Sequence, residues 1–271
     1  MTTNTSDPAV ETRLVPVQML GRPMQIECQL IAFDKPDADL IVFLHEGLGS
    51  VGLWKDWPAQ LCAATGCRGL VFSRYGYGAS TPRPDGEKWP VSYMHTQARE
   101  ALPALFDALG LGDERPILLG HSDGASIALL YAAIYPQRVK AIVLEAPHIF
   151  VEDVTIASIE QAREAYLTTD LREKFRRYHN DPDSAFWGWN DIWLNPEFRA
   201  WNIEEYLPDV RCPVLAIQGR DDEYGTLAQI QGIKRIADQT RLCIIDRCRH
   251  SPHRDQPQVV TDAISEFVRD L

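Results

Sequence analysis

The stretch Pro116-Ile117-Leu118-Leu119-Gly120-His121-Ser122-Asp123-Gly124-Ala125 runs from a short apolar strand pattern straight into a helical one through G-x-S-x-G. A strand, a sharp turn and a helix in that order put the Ser122 hydroxyl on the turn, at the start of a helix. Free N–H groups and the positive end of the helix dipole there favour a developing oxyanion. The turn strains the serine backbone and crowds the positions two residues either side, which Gly120 and Gly124 relieve. The plain alternative is a serine capping a helix beside a turn glycine. G-x-S-x-G alone is a weak pattern, and its place between strand and helix gives it weight.

Working outward, further compact apolar runs, Leu40 to Leu44, Gly69 to Phe72 and Val139 to Leu144, share the character of Pro116 to Leu119. Short Leu-rich or β-branched runs bounded by Gly, Pro and Asp suit strands buried on both faces of a parallel sheet. Helical patterns over Leu53 to Ala64, Val91 to Leu109 and Ala125 to Tyr135 supply the crossovers that parallel strands need. Val214 to Gln218 and Leu242 to Ile245 are two more strands, with Leu227 to Ala237 between them and an amphipathic helix, Gln258 to Asp270, at the close. The opening, Leu14 to Leu20 and Met24 to Phe33 around Gly21-Arg22-Pro23, has the period-two alternation of a hairpin. The expected fold class is α/β, a doubly wound, mostly parallel sheet with helices on both faces.

From Phe150 to Val210 the rhythm breaks. No strand pattern occurs, helical patterns cover Ile156 to Tyr166 and Leu171 to Tyr178, and four of the seven tryptophans (Trp187, Trp189, Trp193, Trp201) lie there. The expected organisation is a core of residues 1–149 and 211–271 with a helical lid at 150–210. Ligands of such sheets bind outside the carboxyl ends of the strands, where an insertion rooted after Leu144 would cover them.

The chain has 271 residues, 45% hydrophobic, enough for one large α/β core. With 38 Asp plus Glu against 27 Lys plus Arg, the net charge of -11 argues against a nucleic-acid partner, which demands cations. The polar start, Met1 to Thr12, carries no secretory or transit pattern, and no apolar run approaches the roughly 20 residues of a membrane span. A cytoplasmic protein with no membrane partner is expected. Cys28, Cys62, Cys67, Cys212, Cys243 and Cys248 are scattered without paired spacing, so structural zinc and a disulfide framework are not expected.

A serine at its free pKa needs a histidine to take its proton and a carboxylate to orient that histidine. Gly219-Arg220-Asp221-Asp222 follows a late strand and offers two acids. Arg249-His250-Ser251-Pro252-His253 follows the next and offers two bases. Grouping His250, His253 and Asp255 around a metal lacks a fourth ligand. No metal and no organic cofactor is expected.

Together with His45-Glu46-Gly47-Leu48-Gly49-Ser50 after a strand and the turn Ser73-Arg74-Tyr75-Gly76-Tyr77-Gly78-Ala79-Ser80, these motifs make the chain resemble the α/β-hydrolase superfamily, in its capped, lipase-like and C–C-hydrolase-like branch. The resemblance spans nearly the whole chain. It implies Ser122 as nucleophile, Asp222 rather than Asp221 as acid, and His250 as base, with Arg249 where the family usually has Gly. It also implies an oxyanion hole of the backbone N–H of Asp123 and of Gly47, with Leu48 as fallback and substrate contact. Glu46 stands where the family has Gly, so its carboxylate must point away, pair with a cation or be protonated. Ser73 and Tyr75 depart from D-x-R-G-x-G-x-S in a way expected to alter bracing of the loop. The Asp123 side chain would sit at the helix N-terminus or hold a cationic substrate group, the former preferred.

His148 begins the lid and is a candidate substrate contact, with one or two of Trp187, Trp189 and Trp193. His45, His95, His121 and His179 read as packed side chains. The expected function is a serine hydrolase of a small, partly apolar or aromatic ester, lactone or thioester. C–C hydrolysis of a vinylogous diketone with the same residues, or a cofactor-free lyase, dioxygenase or ligand receptor on this fold, are the alternatives. A carboxylate nucleophile, as epoxide and haloalkane hydrolases need, is absent from position 122. The partner is a small molecule, and a homo-oligomer is compatible with the sequence.

Overall fold

The apolar runs of mid-chain form strands without one exposed residue: β3 (Leu40–Leu44), β4 (Arg68–Phe72), β5 (Ile117–His121), β6 (Ala141–Glu145) and β7 (Val214–Gly219). This computed structural model describes residues 8–271. Of the polar start read above, residues 1–7 lie outside the described residues. Because successive side chains of a strand point to opposite faces, Val42, Leu44, Leu118 and Ile142 enter one core. Ile41, Phe43, Leu119 and Val143 enter another, on the far side of the sheet.

The hairpin strands β1 (Val10–Met19) and β2 (Arg22–Ile31) precede these, and β8 (Thr240–Ile245) follows at the other edge. The order is β1-β2-β4-β3-β5-β6-β7-β8, with β1, β2 and β4 paired antiparallel and β4 through β8 paired parallel. The order reverses around β3, and a crevice opens there at the carboxyl ends of the strands. The loop after β3 holds His45 to Ser50, and that after β5 holds Ser122.

Two expected helices are broken by identifiable causes. Leu53 to Ala64 divides into Val51–Trp54 and Trp57–Thr65, because Lys55 between them has φ 53. Val91 to Leu109 becomes Tyr93–Thr96, a π turn at Gln97–Ala101, and Leu102–Ala108. Pro103 has no N–H to give to the preceding turn, which opens.

Between β6 and β7 lie the helices Asp153–Thr168, Leu171–Phe175 and Pro182–Trp193 and two 3₁₀ turns, with no named strand. The expected helix at Leu171 to Tyr178 stops at Phe175. An isolated antiparallel bridge joins Phe150 to Asn202, so the segment leaves and rejoins the body at one place. Its own packing is aromatic: Tyr166 stacks on Phe186 at 3.7 Å, and Trp187 stands edge-on to both. No helix among the described residues is long and apolar enough to cross a membrane.

Candidate active site

Ser122 sits between β5 and the helix Asp123–Ile134 with φ 51 and ψ -117, a conformation that L residues with a side chain rarely adopt. Only a crowded environment holds it there. A Cβ at Gly120 would lie 2.3 Å from the Gly124 carbonyl oxygen, and one at Gly124 would lie 2.0 Å from that of Leu44. Both glycines are therefore dictated by close backbone approach, as the sequence pattern implied.

The loops after β7 and β8 bring two distant side chains to the serine. His250 Nε2 lies 3.0 Å from Ser122 Oγ, and His250 Nδ1 lies 2.8 Å from Asp222 Oδ1. The Asp222 carboxylate also accepts the Tyr224 and Gly225 N–H groups and the Gln218 amide. Burial opposes its charge, but the facing His250 and these donors outweigh burial and lower its pKa below the usual carboxylate range. Asp222 is thus an ionised acceptor, which fixes the His250 proton on Nδ1 and leaves Nε2 free to accept from the hydroxyl. Asp221 is exposed, its N–H bonded to the Cys248 carbonyl. His253 is held elsewhere: its ring lies 4.7 Å from Trp54 and 5.0 Å from Trp57, and its Nδ1 meets the buried Glu145 at 2.9 Å.

A cavity of about 200 Å³ opens over Ser122 and His250. Gly47, Leu48, His148, Trp189 and Trp193, all candidates from the sequence, line it. Trp187 does not, so two of the three candidate tryptophans reach the cavity and the place of Trp187 among the candidates is corrected. Trp189 and Trp193 are four residues apart on Pro182–Trp193 and share a face, whereas Trp187 is about 200° away from Trp189 and packs on Tyr166, Phe186 and Arg163. His148 is neutral, its pKa lowered by burial and by nearby His250, and its Nε2–H donates to the Tyr224 carbonyl. The remaining wall includes Leu53, Ile159, Phe175 and Tyr224, which no sequence signal marked.

Asp123 stands in the first turn of the helix Asp123–Ile134, the preferred of its two expected places, and does not reach toward substrate. Its carboxylate turns inward, accepting Tyr93 Oη–H at 2.8 Å and the Trp193 indole N–H at 3.1 Å, with Arg74 Nη2 at 3.7 Å. All four groups are buried. A substrate ammonium has no access to it, and the Asp123 N–H is left without a protein acceptor among the described residues.

Glu46 resolves its conflict by pairing. Its Oε2 lies 3.5 Å from Nδ1 of His121, whose Nε2–H donates to the His250 carbonyl at 2.7 Å. Burial works against both charges, but each partner's charge outweighs it, so the Glu46 pKa is lowered and that of His121 raised. The depressed carboxyl contributes stability above its unfolded pKa of about 4.3, lost as pH falls through the folded value. The raised imidazole contributes below its unfolded pKa of about 6.5, lost as pH rises through the folded value. The pair therefore stabilises mainly between these limits. Glu46→Gln is expected to cost about 1–2 kcal/mol at pH 6, discounted for the partial exposure of Glu46. Urea unfolding should show that deficit shrinking toward pH 10. A deficit constant from pH 6 to 10 would mean that His121 carries no proton.

Against known proteins, the sequence profile described as "Alpha/beta hydrolase family" matches residues 41–263. The chain is 24% identical to a putative 2-succinyl-6-hydroxy-2,4-cyclohexadiene-1-carboxylate synthase of Bacillus subtilis (strain 168), over 89% of this chain and 94% of that protein. It is also 24% identical to a 2-hydroxy-6-oxo-6-phenylhexa-2,4-dienoate hydrolase of Burkholderia cepacia, over 80% and 83%. A solved carboxylesterase structure from the thaumarchaeon Nitrososphaera gargenis superposes with a TM-score of 0.76 at 17% identity, covering 94% of this chain and 97% of that one. That likeness is one of fold.

Proposed function

Because the chain belongs to the alpha/beta hydrolase family, we propose that it is a serine hydrolase of a small, partly apolar or aromatic carboxylic ester, lactone or thioester. The observation that carries this reading is the unbroken hydrogen-bond path from Ser122 Oγ through His250 to Asp222 beneath a mostly apolar cavity. His250 takes the Ser122 proton as the oxygen attacks the substrate carbonyl carbon, and Asp222 stabilises the imidazolium that forms. The tetrahedral oxyanion is received by the N–H groups of Gly47 and Asp123. His250 then protonates the leaving group, and water, deprotonated by the same imidazole, releases the acid from Ser122.

Residues 150–210 act as the lid in this reading. Support comes from Thr155, Ile159, Phe175, Trp189 and Trp193, which supply one wall of the cavity, and from the Phe150–Asn202 bridge at its base. The second reading, hydrolysis of a carbon–carbon bond in a vinylogous diketone by the same residues, is favoured by the relative from Burkholderia cepacia.

A panel of short p-nitrophenyl esters, an acyl thioester and a ring-cleavage dienoate, run beside fluorophosphonate labelling, separates the readings. Labelling of Ser122 with turnover of esters is expected. Turnover of the dienoate alone would move the assignment to carbon–carbon cleavage. Folded protein that neither labels nor turns over any member would refute a serine hydrolase and favour a lyase or a receptor.

A further inference from the structure

We infer that Arg74 is the positioning residue of the oxyanion hole, holding with one buried guanidinium the peptide group of one donor and the side chain of the other. The inference rests on the serine-hydrolase reading above. Arg74 is 3% exposed, and its Nη2 donates to the Glu46 carbonyl oxygen at 2.8 Å while standing 3.7 Å from Asp123 Oδ2.

That carbonyl is unusually well held. Besides Arg74 it accepts the Gly49 N–H at 3.0 Å and His45 Nδ1 at 2.6 Å. The His45 tautomer follows from its other nitrogen, since Nε2 receives the Arg74 backbone N–H at 3.0 Å and must be the bare acceptor, leaving the proton on Nδ1. Burial, and then the charge of Arg74, keep His45 neutral.

The Glu46–Gly47 peptide is trans and planar, so its N–H points opposite to its C=O. Three donors gripping the carbonyl from the interior turn the Gly47 N–H toward the cavity that Gly47 lines. A cation on the carbonyl also polarises the peptide and strengthens that N–H as a donor. Asp123, whose N–H is the second donor, balances the Arg74 charge, and Tyr93 and Trp193 lock its carboxylate. Arg74 occupies a position with no assigned residue type in the D-x-R-G-x-G-x-S turn, while Tyr75 stands in place of the usual arginine.

The test compares wild type with Arg74→Lys and with the charge-balanced pair Arg74→Gln plus Asp123→Asn. Readouts are circular dichroism for folding, the second-order rate of Ser122 phosphonylation by a fluorophosphonate, and kcat and KM for the best ester. Removing one oxyanion donor costs about 10²–10³-fold. The folded double variant is therefore expected to label about 100-fold more slowly, with kcat falling in parallel and KM within about threefold. Arg74→Lys, which keeps the charge but not the fork, should label about tenfold more slowly than wild type. A packing role alone would lower the folded fraction without slowing the chemistry of the folded sites. Labelling of folded double variant within threefold of wild type overturns the inference while leaving the Ser122 reading intact. Should the double variant not fold, Arg74→Lys decides alone, and an unchanged labelling rate overturns the inference. Wild type that does not label at all removes both.

Discussion

Ser122→Ala is expected to lower kcat for every ester the wild type accepts by on the order of 10⁶-fold, to the residual rate that bound substrate retains without a nucleophile. The size of the loss follows from the geometry. Among the described residues, the hydroxyl that meets His250 Nε2 is Ser122 Oγ, 3.0 Å away. The substitution leaves the backbone turn intact, held by the Ser122 N–H on the Glu145 carbonyl and by the first bonds of the following helix. Thermal unfolding should therefore be nearly unchanged. Steady-state assays at micromolar enzyme can follow such a loss, and a variant retaining more than about 1% of wild-type kcat would show that the nucleophile is another group.

The second large effect separates two adjacent aspartates. Asp222→Asn is expected to cost about 10⁴-fold in kcat, because an amide facing Nδ1 favours the imidazole tautomer with its proton on Nε2, which cannot accept from serine. Asp221→Asn should leave kcat within about threefold, since that side chain is exposed and has no part in the path to His250. Measuring both variants on one ester is sufficient. A large loss in Asp221→Asn with a small one in Asp222→Asn would transfer the orienting role to Asp221.

Much of the fold was legible because β3 to β7 are buried on both faces, which makes their sequences continuous apolar runs between glycines and prolines. The elbow was legible for a similar reason: the two backbone contacts at Gly120 and Gly124 admit only glycine, leaving a mark at fixed spacing. Other features leave no such mark. Asp221 and Asp222 are alike as neighbours in a loop, and only the family resemblance favoured the second. Trp187 could not be distinguished from Trp189 and Trp193, because Pro182–Trp193 is buried around most of its circumference and carries no clean polar face. Arg74 was invisible because one of its partners is a main-chain carbonyl, which any residue could supply, and the other lies on a different strand's exit. The inward turn of Asp123 depends on Tyr93 and Trp193, thirty and seventy residues away, a contact that no local spacing encodes.

The Phe150–Asn202 bridge has an evolutionary and practical corollary. Chain that departs and returns side by side can be lengthened, shortened or exchanged without disturbing the register of β6 on β7. On the lid reading proposed above, substrate choice can then vary within residues 150–210 while the loops that carry Ser122, Asp222 and His250 stay as they are. A graft cut at these two residues would carry a relative's selectivity onto this scaffold, provided the indole that meets Asp123 and the His179 contact to the Leu48 carbonyl travel with it.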